Sequence, residues 1–368
     1  RALKNNTIGN NNTACGNQAL YSNTSGSYNT ASGYGALLSN TTGNSNSAGG
    51  YQSLYSNSSG IYNTANGYQS LLNNTTGNYN TANGTYSLSL NTTGNNNTAC
   101  GYYSLETNSS GYNNSALGAY SLFTNKGGYN NTSIGDSSLY GNTTGAANVA
   151  IGKDAGALRA VYNKCTFVGA TADASVTGKT NATAIGYGAS VNASNKVRVG
   201  NTAVTSIGGQ VGWTTSSDLR LKENINESKL GLNFILNLHP VTYNYKDEEQ
   251  RDILYTGLIA QEVDAAAKKE NVDFSGVDKN GEYWGIRYGD LTVPLIKSVQ
   301  EINKKSEDRN QKLEEENAEL KEKVFTLENQ MKQMQQCVES LCTNQQKLNL
   351  NNESSSPQLF ISPNPTND

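Results

Sequence analysis

A glycine returns every 17 residues, at 16, 33, 50, 67, 84, 101, 118, 135 and 152, without a slip. Four more columns keep the same interval. A second set of glycines runs from Gly9 to Gly145, leucines run from Leu20 to Leu139, and asparagines run from Asn12 to Asn148 and from Asn23 to Asn142. The unit reads N-[TS]-A-x-G-Y-x-[SA]-L-x-x-N-[TS]-[TS]-G-x-x. A unit this short, with Ala and Leu as its regular apolar positions, has no core of its own and must bury itself against its neighbours. Stacked coils at the inter-strand spacing rise by roughly 4.8 Å each. The expected fold is therefore mainly β, a β-solenoid (β-roll) with two short strands per coil. Glycines are expected to supply corners at positive φ, and in-register asparagines to bond up and down the stack. Asn80 lies in a column and is expected to carry ladder bonds, whereas Asn78 lies outside the columns and is expected to matter far less. Low-complexity disorder is the competing reading of an Asn/Ser/Thr/Gly-rich tract, but disorder does not keep Leu and Ala in register. Cys15 and Cys100 share one column five coils apart, too far to pair within a chain, and read as small apolar fillers.

Charge divides the chain at about the point where the repeats end. No charged residue lies between Lys4 and Glu106, and residues 1–216 hold nine Lys/Arg against four Asp/Glu, leaving 18 against 26 in the remainder. Neither part has the basic excess that a phosphate surface demands, so nucleic acid is not an expected partner. No apolar run approaches the length of a membrane span. Arg1 falls in mid-repeat, which suggests a fragment whose targeting signal lies upstream. A single histidine, His239, excludes a His-rich metal site, and its place in Leu-His-Pro reads as a capping or surface residue. No metal and no cofactor is expected. Five cysteines without a pairing pattern do not make a disulfide scaffold.

After Gly152 the consensus frays, although Gly169 and Gly186 hold the interval, and Asn181-Ala-Thr-Ala-Ile-Gly186 resembles the head repeats of trimeric autotransporter adhesins. At Trp213 the character changes. Ser217-Asp218-x-Arg220-x-Lys222-x-x-Ile225, then a helix-like run from Leu230 to Leu238, Pro240 and Tyr243, then Gly257-Leu-Ile-Ala-Gln-Glu-Val263, then Tyr288-x-x-Leu291 follow in order. Together these resemble the intramolecular chaperone auto-processing domain of endosialidases and phage tail spikes (peptidase S74), over about residues 213–302. The resemblance implies a homotrimer, a self-cleavage between Ser216 and Ser217, attack by Ser217, and Lys222 as base. Read from the residues alone, Ser217 and Lys222 are the obvious nucleophile and base near the junction. A serine hydroxyl needs a proton acceptor, and a lysine accepts only when burial or a neighbouring charge lowers its pKa. Asp218 and Arg220 are read as an ion pair fixing the loop. The competing reading is a polar loop with a helix-capping serine.

From Val299 a heptad is plain, with Val299, Ser306, Leu313, Leu320, Leu327, Met334 and Leu341 on one seam and Ile296, Asn303, Asn310, Asn317, Val324, Met331 and Val338 on the other. The expected layout is a repeat fibre over 1–212, a small α+β chaperone domain over 213–298, a parallel coiled coil over 299–345, and a disordered linker over 346–368. The end of that linker, Leu359 to Thr366, resembles the start of a type IX secretion sorting domain. The functional expectation is a secreted, cell-surface or virion tail fibre that trimerises and cuts itself once. It would bind a host surface, a glycan or an abiotic surface. The alternatives are an ice- or surface-binding solenoid and a polysaccharide-degrading, tail-spike-like enzyme. The last needs paired carboxylates in a groove, and the first hundred residues hold none.

Overall fold

The computed structural model describes residues 1–158, 161–246, 252–280 and 283–353. The sorting-tail resemblance at 359–366 lies outside them. The described residues form a parallel sheet of twelve strands in which each strand pairs with the equivalent strand of the next coil. In order these are β1 Thr13–Cys15, β2 Thr30–Ser32, β3 Ser47–Gly49, β4 Thr64–Asn66, β5 Thr81–Asn83, β6 Thr98–Cys100, β7 Ser115–Leu117, β8 Thr132–Ile134, β9 Val149–Ile151, β10 Thr166–Val168, β12 Thr183–Ile185 and β14 Val197–Val199. β11 (Asp173–Ala174) and β13 (Ser190–Val191) form a separate pair. Register is Thr on Thr and Ala on Ala, as at Thr64↔Thr81 and Ala65↔Ala82. The last step is shorter: Ile185 pairs with Val199, so the final coil has lost three residues. The chain is mainly β, a β-solenoid of about 11 turns with 17-residue repeats, followed by a long C-terminal helix.

The central residue of each main-sheet strand from β2 to β12 points inward, whereas Arg198 at the centre of β14 is exposed. Ala31, Ala48, Ala65, Ala82, Ala99 and Ala116 are buried, and the leucine column from Leu20 to Leu139 packs against them. The asparagine columns complete the polar interior. In one, each Asn Nδ2 donates to the Oδ1 of the coil before it at 2.7–2.9 Å, from Asn23 on Asn6 through to Asn125 on Asn108. In the other, the Asn80 Oδ1 accepts the backbone N–H of Asn97 at 3.0 Å while its Nδ2 donates to the Gly94 carbonyl at 2.8 Å. Buried amides thus find partners, Asn125 Oδ1 being the exception among the described asparagines.

Several expectations need correction. Only the coils of β10 and β12 carry a short second strand, β11 or β13; each coil from β1 to β9 has one strand, not two. Its opposite side is a run of turns that still donates to the next coil, Leu20 N–H to the Ala36 carbonyl and Ser22 N–H to that of Leu38, both at 3.0 Å. Positive φ is not confined to glycine: the leucine column adopts it throughout, at 51° in Leu20, Leu37 and Leu54. A leucine there is strained, and its burial together with those N–H bonds offsets the strain. The two glycine columns also differ. Gly101 has φ 138°, whereas the Gly26 column carries no left-handed φ, and there a Cβ would strike the Asn Oδ1 of its own coil, 2.5 Å away at Gly26. Asn78 is not outside the bonding pattern either. Its Oδ1 accepts from Ile61 N–H, and its N–H donates to Asn95 Oδ1, both at 2.8 Å. Asn80 is fully buried and Asn78 only half-buried, so the expected order survives in weaker form. Finally, Cys15 and Cys100 end strands β1 and β6 at the outward position, so they are not core fillers.

The chain folds as two compact units, and the sheet belongs to the first. The first comprises Arg1–Lys222, Pro240–Gly257 and Asp278–Gly285; the second comprises Glu223–His239, Leu258–Val277 and the chain from Ile286 onward. In the first, β15 (Val241–Tyr243) and β16 (Tyr255–Gly257) make an antiparallel pair. In the second, α1 (Leu232–Leu236), α2 (Ala260–Lys269) and α3 (Thr292–Glu353) are joined by a core of Leu230, Phe234, Val263, Ala267, Phe274, Val277 and Leu291. Phe234 meets Phe274 edge to face at 5.5 Å. The Glu301 carboxylate of α3 accepts the Leu232 N–H at 2.9 Å, filling the place of a side-chain cap that Gly231 lacks. Pro294 sits in the first turn of α3, where a missing N–H costs nothing. The helix runs past Gln345 to Glu353.

Candidate functional site

The segment from Trp213 to Lys222 belongs to the first unit and is exposed throughout. It is held by local bonds. Asp218 caps a 3-10 turn, Leu219–Leu221, by accepting the Arg220 N–H at 2.9 Å. The Arg220 guanidinium returns to the same carboxylate through Nη2 at 2.7 Å and Nε at 3.0 Å, a bidentate fork. Hydrogen bonds from the Arg220 side chain, and then from its backbone, hold the Asp218 carboxyl below the ordinary carboxylate range. The guanidinium is correspondingly pushed up.

The turn folds the chain back on itself, with the Lys222 N–H donating to the Leu219 carbonyl at 3.1 Å. That return brings Lys222 Nζ to 2.7 Å from Ser217 Oγ. A protonated amine donates in this contact; a neutral amine would accept the hydroxyl proton. Five residues of separation would not place the two groups together in an extended chain, so the 3-10 turn between them is what makes a nucleophile–base pair available. All four residues read from the sequence, Ser217, Asp218, Arg220 and Lys222, thus fall into two adjacent contacts.

The apolar residues of this signature are exposed. Trp213 is 93% exposed, and Leu219, Leu221 and Ile225 are exposed too. His239 is a surface residue, its Nδ1 3.6 Å from Glu262. Two features escaped sequence reasoning. Lys196, in the last coil of the solenoid, pairs with Asp278 at 2.9 Å and holds that carboxyl below its ordinary range; nothing in the spacing of residues 82 apart announces it. Inside the stack, Tyr162 is fully buried and donates through its hydroxyl to Asp173 at 2.7 Å. Burial pushes the Asp173 carboxyl up, against the lowering effect of its hydrogen bonds to Leu158 N–H and Tyr162. Among the described residues there is no cluster of His, Cys, Asp and Glu able to hold a metal ion, and no helix long and apolar enough to cross a membrane.

The model of one protein family, the chaperone of endosialidase, peptidase S74, matches residues 217–272. The matched segment begins at Ser217 itself, takes in the Ser217–Lys222 contact, and runs through α1, β15, β16 and α2. No curated protein and no solved structure matches the chain.

Proposed function

We propose that this chain is a homotrimeric, secreted, cell-surface or virion-borne fibre whose C-terminal part assembles three copies and then releases them by one self-cleavage at Ser216–Ser217. The contact of Ser217 Oγ with Lys222 Nζ at 2.7 Å, at the first residue of the peptidase S74 match, carries this reading. In the reaction Lys222, as the free amine, takes the hydroxyl proton while Ser217 Oγ attacks the Ser216 carbonyl carbon. The C–N bond breaks as the proton passes to the leaving nitrogen, now the α-amine of Ser217. Water then hydrolyses the resulting ester to a Ser216 carboxylate and restores the hydroxyl. Asp218 and Arg220 position the turn, and neither touches the reacting atoms.

The exposure of Lys222 in the single chain supports linking cleavage to assembly. Cover by neighbouring copies would take this amine out of water, and desolvation disfavours the charged form of a lysine. The exposed Trp213, Leu219, Leu221 and Ile225 are the apolar material such a cover would use. For the fibre itself, the likeness of residues 181–186 to adhesin head repeats supports a binding role at a host surface, a glycan or an abiotic surface. Stacked tyrosines, Tyr34 on Tyr51 at 5.4 Å and Tyr51 on Tyr68 at 5.1 Å, are all exposed and offer a ligand aromatic carbon together with hydroxyl groups.

The test is mass spectrometry of freshly made full-length protein. A fragment starting at Ser217 is expected from the wild type and from Lys229→Ala, and full-length chain alone from Ser217→Ala and Lys222→Ala. Wild-type cutting by Ser217→Ala would overturn the mechanism. A second reading rests on the in-register outward column Thr30, Ser47, Thr64, Thr81 and Thr98, which suits an ice or crystal surface. Thermal hysteresis of the purified protein would favour it.

A further inference from the structure

The third residue of every strand in the main sheet points outward, and along the stack this single column changes character. In the first six coils it reads Cys15, Ser32, Gly49, Asn66, Asn83, Cys100. In the next six it reads Leu117, Ile134, Ile151, Val168, Ile185, Val199, each in register with the next. Five of these six are 39–50% exposed. Six aliphatic side chains in line, about 24 Å end to end at the stacking rise, make a continuous apolar stripe on an open sheet face. Scattered apolar residues on a surface need no explanation; an unbroken column beginning at one coil and lasting to the last does.

We infer that this stripe is the seam along which copies of this chain pack against one another, a surface that rests on the self-assembly proposed above and assigns it to the C-terminal half of the solenoid. Three observations choose a second copy over another partner. A copy repeats at the same rise over all six coils, so its side chains interdigitate from end to end, which a partner of another period matches at one coil only. The outward positions of the main-sheet strands β7, β8, β9, β10 and β12, Ser115, Leu117, Thr132, Ile134, Val149, Ile151, Thr166, Val168, Thr183 and Ile185, include no ionisable group, so over five of the six coils like strands meet without like charges; Arg198 of β14 is the exception. The same chain carries α3, whose heptad residues Leu313, Leu320, Val324, Leu327 and Val338 are all exposed and find partners only on other helices. The polar half of the column, with the tyrosine stacks, is thereby left free for the ligand.

Cross-linking tests this on the full-length chain. In a background with Cys15, Cys100, Cys337 and Cys342 changed to serine and the buried Cys165 kept, a single cysteine is placed at Ile151, at Val324 or at Thr144. Ile151→Cys introduces a residue that this column already accepts at Cys15 and Cys100. Thr144 is exposed and lies ten residues around the coil from Ile134. A short bismaleimide is added, products are read on a denaturing gel, and mass in solution is read by light scattering. The expected result is that most of the Ile151→Cys and Val324→Cys chains link and Thr144→Cys does not. Linking at Val324 but not at Ile151 overturns the seam and leaves self-assembly standing. Failure at both positions, with a monomer mass, overturns the self-assembly reading and the seam with it. Linking at Thr144 as fast as at Ile151 marks unspecific association and also overturns the seam.

Discussion

The solenoid and the chain that follows it are finished by different means. Between Leu20 and Asn148 the buried asparagines meet partners one coil away in their own chain, buried serines such as Ser53 and Ser87 bond carbonyls of their own coil, and the core is closed by neighbouring copies of a 17-residue unit. From Trp213 the opposite holds. The Ser217–Lys222 contact, the apolar signature residues and the heptad positions of α3 all lie open in a single chain. Repetition within a chain supplies neighbours in the first case; in the second, only repetition of the chain can. The solenoid itself grades from one regime to the other. The asparagine ladder breaks where Asn125 Oδ1 is left without a partner and Asn142 turns to Gly145 and Tyr162. Beyond it the core takes Tyr162 and Phe167, and the outer column is aliphatic.

The largest expected effect breaks the second region without touching its chemistry. Changing Leu320 and Leu327 to Asp puts two charges into the heptad seam while leaving Ser217 and Lys222 intact. Cleavage of the full chain is then expected to fall at least tenfold, read as the rate at which the Ser217 fragment accumulates. An undiminished rate would show that the dyad works in a single chain and would dissolve the contrast.

Within the solenoid, Gly101→Ala is expected to cost the most. The position needs φ 138°, and an added Cβ would lie 2.6 Å from the Gly118 carbonyl carbon. A loss of about 3 kcal/mol follows from the conformation alone, before any clash. It would be measured as a fall in thermal midpoint against wild type. Asn80→Ala comes next, at about 1–3 kcal/mol per chain, because the Asn97 amide and the Gly94 carbonyl both lose a buried partner. Asn78→Ala, whose bonds lie at the half-wet edge, is expected to lose about 1 kcal/mol or less. Equal shifts at the two positions would mean that the ladders record duplication of the unit and contribute little to stacking.

The smallest effect concerns pH. Burial raises the Asp173 carboxyl above its ordinary value, so the fold favours the protonated form. Stability from this group is full below the ordinary carboxylate pKa and is lost as pH rises through the raised one. The thermal midpoint of the wild type should therefore decline modestly over that window, and Asp173→Asn should flatten the decline. A midpoint that rises with pH in the wild type and not in the variant would reverse the sign.

Much of this was legible in the residues. A 17-residue interval held in five columns dictates parallel stacking, because a unit with so little apolar surface has no other way to bury it. The same interval put the asparagines in register, and the change of character at Trp213, after the last repeat, marked where Ser217 and Lys222 become the candidate pair. A heptad likewise announces one long helix. Tertiary structure decided what periodicity does not carry. The sign of φ at Leu20, and hence one strand instead of two in each coil from β1 to β9, depends on how the turn side packs inward and bonds to the next coil. Whether Cys15 and Leu117 face in or out depends on which strand residue the core takes, and the core took alanine. The approach of Lys222 to Ser217 depends on a 3-10 turn whose only outward sign is an Asp-x-Arg pair, and the pairing of Lys196 with Asp278 depends on chain folding across 82 positions. An interval along the chain fixes which residues are equivalent; which side each equivalent residue faces is settled only when the coils close on one another.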